Sequence, residues 1–409
     1  MSDSVIHELD AAAALAALCA ELVPIAESES VPLAAADGRV LARDIISELD
    51  LPRFTNSAMD GYAVRAADCA GASRLHVVGT AFAGHAYARP LAPGDAVRIM
   101  TGAPMPEGAD AVVMQEDINR RDDWISFSTD VRPGLNVRKR GTHVRSGTVV
   151  VGKRTTLRAA ETGLATAVGV TNLEVFRRLR VGIASTGDEL ADPPAPLTAG
   201  ASYDANRPLL AVAARAAGFS VVDLGIWRDQ AAEFVALVDR AFAQNLDVLL
   251  VSGGSAQGDA DVVRKADAVR FLPVSIRPGR GVAFGRFPHG QTRLALLGLP
   301  GNVVAAVIMF HLVALPAMVH LAGGIARVPL HIPVALAVDV ACESGRVDYR
   351  RGRLEYDTAG QLAVRPLEQQ GSAMLRTVVD ADVLIAAGPL PHYRAGERIL
   401  VVPLVGLPG

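Results

Sequence analysis

Hydrophobic and polar positions change rhythm three times along the chain. Residues 9–22, LDAAAALAALCAEL, carry Ala and Leu at helical spacing, with Asp10 at the start, where an acid suits the helix dipole. From about Leu51 to Val150 short runs such as RLHVVG and DAVRIM alternate with the turns APGD, MPEG and RPGL, which predicts a β-rich module. LRAAETGLATAVGV then returns briefly to helical spacing.

From Arg180 strands and helices alternate. RVGIAS, SVVDLG, LDVLLVS and LALLGLP read as strands. NRPLLAVAARAAGF reads as a helix ending at Gly218, and DQAAEFVALVDRAFAQN as an amphipathic helix with Asp229 at its cap position. DVVRKADAV is also expected to be helical. This order predicts βαβ units, a parallel sheet and helices on both faces. After Pro329 the pattern is β again, in HIPVALAVDV, GRLEYD, QLAVRPLEQ and ERILVVPLV, as in a small barrel or sandwich. The fold class expected is multidomain α/β plus β modules.

One segment imitates a membrane span. Val303–Ala322 contains no charge and is long enough to cross a bilayer. His311, His320 and Pro316 interrupt it, and it stands alone in an otherwise globular pattern, so a buried helix is expected.

Composition narrows the function classes. At 409 residues the chain exceeds one ordinary core, given about 150 residues per domain. Lys and Arg number 40 against 43 Asp and Glu, which argues against a dedicated nucleic-acid binder, although Arg138-Lys139-Arg140 forms one basic patch. Cys19, Cys69 and Cys342 are far apart, as suits a reducing, cytoplasmic compartment and not a disulfide scaffold or structural zinc site. MSDSVIHELD lacks the basic and apolar regions of a signal peptide.

Ligands of open parallel sheets sit beyond the carboxyl ends of the strands. Four loops leave those ends here: STGDEL, GIWRD, SGGSAQGDAD and GLPGN. Ser252-Gly253-Gly254 can turn backbone N–H groups toward an anion, yet the P-loop pattern is absent. Asp188, Glu189, Asp229, Asp259 and Asp261 would repel a phosphate unless a cation bridged them, which suggests Mg²⁺. The alternative is that Asp229 and Asp261 only cap helices. Arg277 and Arg280 flank a Pro-Gly turn and form a fork suited to an oxyanion, or else a solvated basic turn. FTNSAMDGYAVRAAD supplies a polar loop, an acid and a tyrosine, Tyr62, expected on the surface. RIMTGAPMPEGADAVVMQED sets Thr101 and Gly102 after a strand. Both segments also read as ordinary turns of a β module.

The order of NSAMDGYAV, RIMTGAPMPEGADAVVMQE, STGDEL, YDANR, SGGSAQGDAD, PGRGVAFG, GLPGN and QQGSAML resembles the molybdopterin molybdenumtransferase family (MoeA, and the C-terminal domain of gephyrin) over nearly the whole chain. The resemblance implies hydrolysis of adenylylated molybdopterin, delivery of molybdenum from molybdate to its dithiolene, and release of AMP with Mg²⁺ assisting. It implies a split first domain over 1–46 and 147–177, an inserted β-rich domain over 47–146, an α/β domain over 178–328 and a C-terminal β domain over 329–409. It also implies an elongated homodimer with the active cleft near the dimer interface. The partners implied are molybdopterin adenylyltransferase and molybdoenzyme apoproteins or their chaperones, with no nucleic acid and no membrane.

Carried over residue by residue, the resemblance makes Asp60, Thr101, Arg138, Glu189, Asp229 and Asp261 catalytic, with the last three near Mg²⁺. Ser252, Gly253, Gly254, Asp259, Arg277, Arg280, Pro300, Gly301, Asn302 and Ser372 become substrate-binding. Three departures stand out. Thr142-His143 replaces an acid pair, Arg277 and Arg280 replace lysines with Gly281 in place of a following proline, and Val303 replaces the last proline of GLPGNP. Arg keeps the charge of Lys but not its shape. A histidine can carry positive charge near neutral pH and so suit an anion such as molybdate. The lost acids equally fit a weakened paralogue that binds or carries the cofactor, and a scaffold built on the family's dimer is a third reading.

Overall fold

The computed structural model describes residues 9–69, 74–254, 263, 268–289, 292–342, 345–388 and 390–404. The first helix, Ala11–Glu21, begins where the sequence places it, because the Asp10 carboxylate accepts the Ala13 N–H at 2.7 Å. Strand Ser28–Pro32 pairs antiparallel with Asn172–Phe176, and Ile45–Ile46 with Val149–Val151. The chain thus leaves this unit and returns to it. Between the two passes lies a six-stranded sheet running from Ala111–Met114 at one edge to Asn119–Arg121 at the other. Tyr62 is on a central strand of that sheet, Gly61–Val64, and only 3% exposed. The surface position expected for it is therefore wrong: a ladder runs on both sides, and the Arg98 guanidinium covers the ring.

The α/β part carries the second six-stranded sheet. Arg180–Thr186 pairs in parallel with Ser220–Trp227 on one side and Val248–Ser252 on the other, and Val248–Ser252 pairs in parallel with Thr292–Leu299. Gly281–His289 and Val269–Pro273 extend the sheet antiparallel. The all-parallel expectation holds for four strands, and a hairpin supplies the other two. Val269, expected in a helix, opens one of these strands; the rest of DVVRKADAV lies outside the described residues apart from Val263 and Ala268. Helix Asn206–Ala216 ends where Gly218 adopts φ +90°, the left-handed turn that favours glycine. Helix Ala231–Ala243 is capped by Gln230, one residue after the Asp229 expected there. Asp229 stays in the loop, ahead of the first turn.

The apolar segment Val303–Leu321 is mostly buried and is a core helix. It includes a π turn at Phe310–Ala314 and shares one core with helix Ala11–Glu21, helix Asn206–Ala216 and the sheet. In the C-terminal part five strands close on themselves. Val347–Tyr356 pairs with Leu362–Pro366, then Ile332–Leu336, Arg398–Pro403 and Val383–Ala387 follow, and the last pairs back to the first. A closed barrel leaves no free sheet edge.

Candidate active site

The carboxyl ends of the parallel strands open into a cleft of about 920 Å³. Its first wall is built from Arg180–Thr186 and the turn after it. Ser185 and Thr186 are 1% and 5% exposed and line the cleft, yet their hydroxyl oxygens have no hydrogen-bond partner among the described residues. Buried hydroxyls left open in this way are available to a ligand. Gly187 donates to the Trp227 carbonyl at 3.1 Å, which joins the TGDEL turn to the neighbouring strand and brings Glu189 and Asp229 to the same cleft.

The floor is held by Asn206. Its side-chain amide donates to Ser252 Oγ at 2.6 Å and to the Gly301 carbonyl at 2.7 Å. Ser252 Oγ in turn donates to the Pro300 carbonyl at 3.3 Å. One side chain therefore ties the SGG loop to the GLPGN loop. Helix Asn206–Ala216 is started by the Asp204 carboxylate, which accepts the backbone N–H groups of Asn206 and Arg207. Arg207 anchors the same corner through ion pairs to Asp204 at 3.0 Å, Asp192 and Asp223. For Asp223, burial acts upward on the carboxyl, but the Arg207 hydrogen bond, the Gly225 N–H and the Arg207 charge outweigh it and hold its pKa below the usual range.

Gly253 and Gly254 pack against Thr186 at φ +95° and +60°. A Cβ on Gly253 would lie 2.3 Å from the Thr186 carbonyl oxygen, so the loop can pass this close only as glycine. The opposite wall is basic. Arg277, Arg280 and Arg346 all line the cleft, beside Phe271, Gly279 and Gly281. An acidic wall faces an arginine wall, a pairing that suits a phosphate held with a cation on one side and guanidinium groups on the other.

The structure thus brings together Glu189, Asp229, Ser252, Gly253, Gly254, Arg277, Arg280, Pro300, Gly301 and Asn302. Asp259 and Asp261 lie outside the described residues. Ser372 does not line the cleft; its carbonyl accepts the Val304 N–H at 3.1 Å, while Ala373 and Leu375 reach the wall. Asp60, Thr101 and Arg138 are not in this cleft. They form a separate cluster on the inserted sheet, where the Asp60 carboxylate accepts the Thr101 N–H at 2.7 Å and its hydroxyl at 2.8 Å. Those two bonds, the backbone one first, lower the Asp60 pKa. Arg138 is exposed nearby and reaches the Ala58 carbonyl at 3.5 Å. Thr142 and His143 are exposed on the same unit, in a turn tied to Leu51 by the His143 N–H at 2.9 Å.

Sequence reasoning did not single out Asn206, Tyr203, Phe271 or Arg346 as lining residues. YDANR signalled the first two only as part of a motif, and nothing local to Phe271 or Arg346 sets it apart.

Among the described residues no three His, Cys, Asp or Glu side chains group closely enough to hold a metal by themselves. Mg²⁺ commonly takes one or two carboxylates together with substrate phosphate oxygens. Glu189 and Asp229, with the open Ser185 and Thr186 hydroxyls beside them, fit such a shared site and not an all-protein cage.

Comparison with known proteins agrees along the chain. Residues 9–169 match the MoeA N-terminal region (domain I and II), 182–320 a probable molybdopterin binding domain, and 333–404 the MoeA C-terminal region (domain IV). The molybdopterin molybdenumtransferase of Haemophilus influenzae is 35% identical over 390 residues, covering 94% of this chain and 95% of that one. Molybdopterin molybdenumtransferase 2 of Mycobacterium tuberculosis is 35% identical over 384 residues, covering 90% and 92%. The crystal structure of a molybdopterin biosynthesis moeA protein from Pyrococcus horikoshii OT3 superposes with a TM-score of 0.79 at 26% identity, covering 97% of this chain and all of that one. With its three parts matched in order and relatives this similar over nine-tenths of its length, the chain belongs to the MoeA family.

Proposed function

We propose that this chain is a molybdopterin molybdenumtransferase of molybdenum cofactor biosynthesis, which takes adenylylated molybdopterin and molybdate and releases AMP. The observation that carries the reading is the two-sided cleft at the carboxyl ends of the sheet, acids on one wall and three arginines on the other, inside the segment matched to a molybdopterin binding domain. Arg277, Arg280 and Arg346 receive oxyanions, whether the phosphates of the nucleotide-linked pterin or molybdate itself. The SGG loop places backbone N–H groups against the substrate, and Asn206 keeps that loop in register with GLPGN. Glu189 and Asp229 are the residues that would hold Mg²⁺. When bound, that ion supplies charge neutralisation at the phosphates. Water cleaves the phosphoanhydride and AMP leaves; the two dithiolene thiols then displace one oxide of molybdate, which departs as water with their two protons.

The reading extends to a homodimer. Asp60, Thr101 and Arg138 lie outside this chain's own cleft, and their unit exposes Phe54, Met59 and Phe82, apolar side chains that a second copy would cover. Sedimentation near twice 42.7 kDa is the check, and a monomer at working concentration would remove this part. A reducing cytoplasm, an upstream molybdopterin adenylyltransferase and downstream apoproteins or their chaperones complete the expected setting.

The test is AMP release from adenylylated molybdopterin with Mg²⁺, with and without molybdate. Molybdate-dependent release is expected, lowered about a hundredfold or more in Glu189→Gln and in Asp229→Asn. Tight pterin binding with no AMP release would replace the transferase by a carrier. That second reading rests on Thr142 and His143, two exposed residues without the acids of the related motif. Restoration of release by His143→Asp would support it.

A further inference from the structure

Arg351 is the largest side chain with almost no exposure among the described residues, at 1%. It belongs to the barrel strand Val347–Tyr356, away from the cleft wall. No carboxylate pairs with it among the described residues. Its neighbour Asp348 is bonded to Arg350 at 2.8 Å instead. Burial draws its pKa down, with the Asp348 charge acting upward and Arg350 downward. A guanidinium is hard to neutralise, so a buried one without a counter-ion is costly and calls for good hydrogen bonds.

Those bonds all go to one segment. Arg351 Nε donates to Thr377 Oγ1 at 3.1 Å, and Nη2 donates to the Gly371 carbonyl at 3.1 Å. The Thr377 hydroxyl in turn donates a hydrogen bond to the Met374 carbonyl at 2.6 Å. The backbone of the same arginine is gripped too. Its N–H donates to Gln370 Oε1 at 3.0 Å, and Gln370 Nε2 donates to its carbonyl at 2.9 Å. One buried residue thus fixes both ends of residues 370–377. The middle of that stretch is the part that meets the site. The Ser372 carbonyl accepts the Val304 N–H at the start of the apolar helix, directly after GLPGN, and Ala373 and Leu375 line the cleft.

We propose that Arg351 is a positioning residue for the reaction, holding residues 370–377 so that Ala373 and Leu375 form part of the cleft wall while the Ser372 carbonyl meets the helix that follows the GLPGN loop. The inference rests on the function proposed above for its kinetic consequence, but not for its structural one. The cost of the buried charge is offset by a loop placed from inside the barrel, out of reach of solvent. It also links the C-terminal barrel to the α/β sheet through a chain of bonds from Arg351 to Gly371 and from Ser372 to Val304.

The experiment compares wild type, Arg351→Met and Thr377→Val with the double variant Arg351→Met/Thr377→Val. Methionine keeps the apolar volume and removes both the buried charge and the fork. Thr377→Val keeps the barrel arginine and removes a single hydroxyl, the acceptor of the Arg351 Nε–H and the donor to Met374, so it remains informative where Arg351→Met fails to fold. The first readout needs no activity: hydrogen exchange at the Val304 amide. Exchange about tenfold faster in Arg351→Met and in Thr377→Val, with the barrel amides of Leu384 and Ile385 unchanged, is expected. The second readout is steady-state AMP release. A loss of about tenfold to a hundredfold in kcat/KM is expected for Arg351→Met, with little further loss on adding Thr377→Val, because the two act through one placement. Unchanged Val304 exchange in both single variants would overturn the proposal. Additive kinetic losses from Arg351→Met and Thr377→Val would overturn the shared placement. Absence of AMP release in wild type would count against the function and leave the exchange result standing.

Discussion

Asn206 and Ser252 are joined across the cleft floor by a hydrogen bond of 2.6 Å, and the second amide hydrogen of Asn206 reaches the Gly301 carbonyl. Two loops from different strands therefore share one clasp. Asn206→Ala leaves the Gly301 carbonyl and Ser252 Oγ without their donor. A loss of about 1–3 kcal/mol is expected in a Trp124→Phe background, read by urea unfolding from Trp227 fluorescence. Substrate affinity should fall with it. Unchanged unfolding together with unchanged affinity would mean that the loops hold their places without the clasp.

Gly253 and Gly200 make a paired test of space against backbone strain. Both have positive φ, +95° and +87°. A Cβ at Gly253 meets the Thr186 carbonyl at 2.3 Å, whereas one at Gly200 meets nothing within 4 Å. Gly200→Ala should cost about 1 kcal/mol, and Gly253→Ala about 2–4 kcal/mol, because strain and overlap with backbone combine. Gly253→Ala should also weaken pterin binding while Gly200→Ala leaves it intact. Equal costs at the two positions would show that the contact with Thr186 yields easily.

Arg207 sets an acid limit on the same domain. The folded pKa of Asp223 is depressed, so its contribution is present above the ordinary aspartate pKa of about 3.9 and is lost as pH falls through the lower folded value. Arg207→Met removes the partner of Asp223 and also of the buried Asp204. At pH 7 the variant should lose about 3 kcal/mol. The gap between wild type and variant should narrow as pH drops below about 4. Denaturant midpoints at pH 7, 5, 4 and 3 measure it, and a gap that widens toward acid would reverse the sign argued here.

Much of this was legible from the chain, for identifiable reasons. Strand–helix alternation after Arg180 placed four loops at one rim, and the described residues named from them line one cleft, except Asp188, which is exposed outside it. Asp10 announced its helix because a cap is a local device. What failed was non-local. The hairpin of Val269–Pro273 and Gly281–His289 is split by Pro278 and several glycines, which hid its periodicity. Tyr62 was misplaced because a motif in a polar loop does not reveal that the next strand is central. Asp60, Thr101 and Arg138 stand apart from the cleft of their own chain, a separation that motif order does not carry. Arg351 and Asn206 hold loops distant in sequence, and only the folded arrangement exposes that role.

The π turn at Phe310–Ala314 explains why the apolar stretch has no polar side. One extra residue in a turn rotates everything beyond it by about 100° relative to an ordinary helix. Before the turn, Val303–Met309 leans on strand Thr292–Leu299 and helix Asn206–Ala216; after it, Leu315–Leu321 leans on helix Ala11–Glu21. A single rod thus serves two masters in succession, each demanding grease on a different flank. Deleting one residue inside Phe310–Ala314 would restore an unbroken spiral and point the second half away from the N-terminal helix, so the spacing there is under as tight a constraint as the composition.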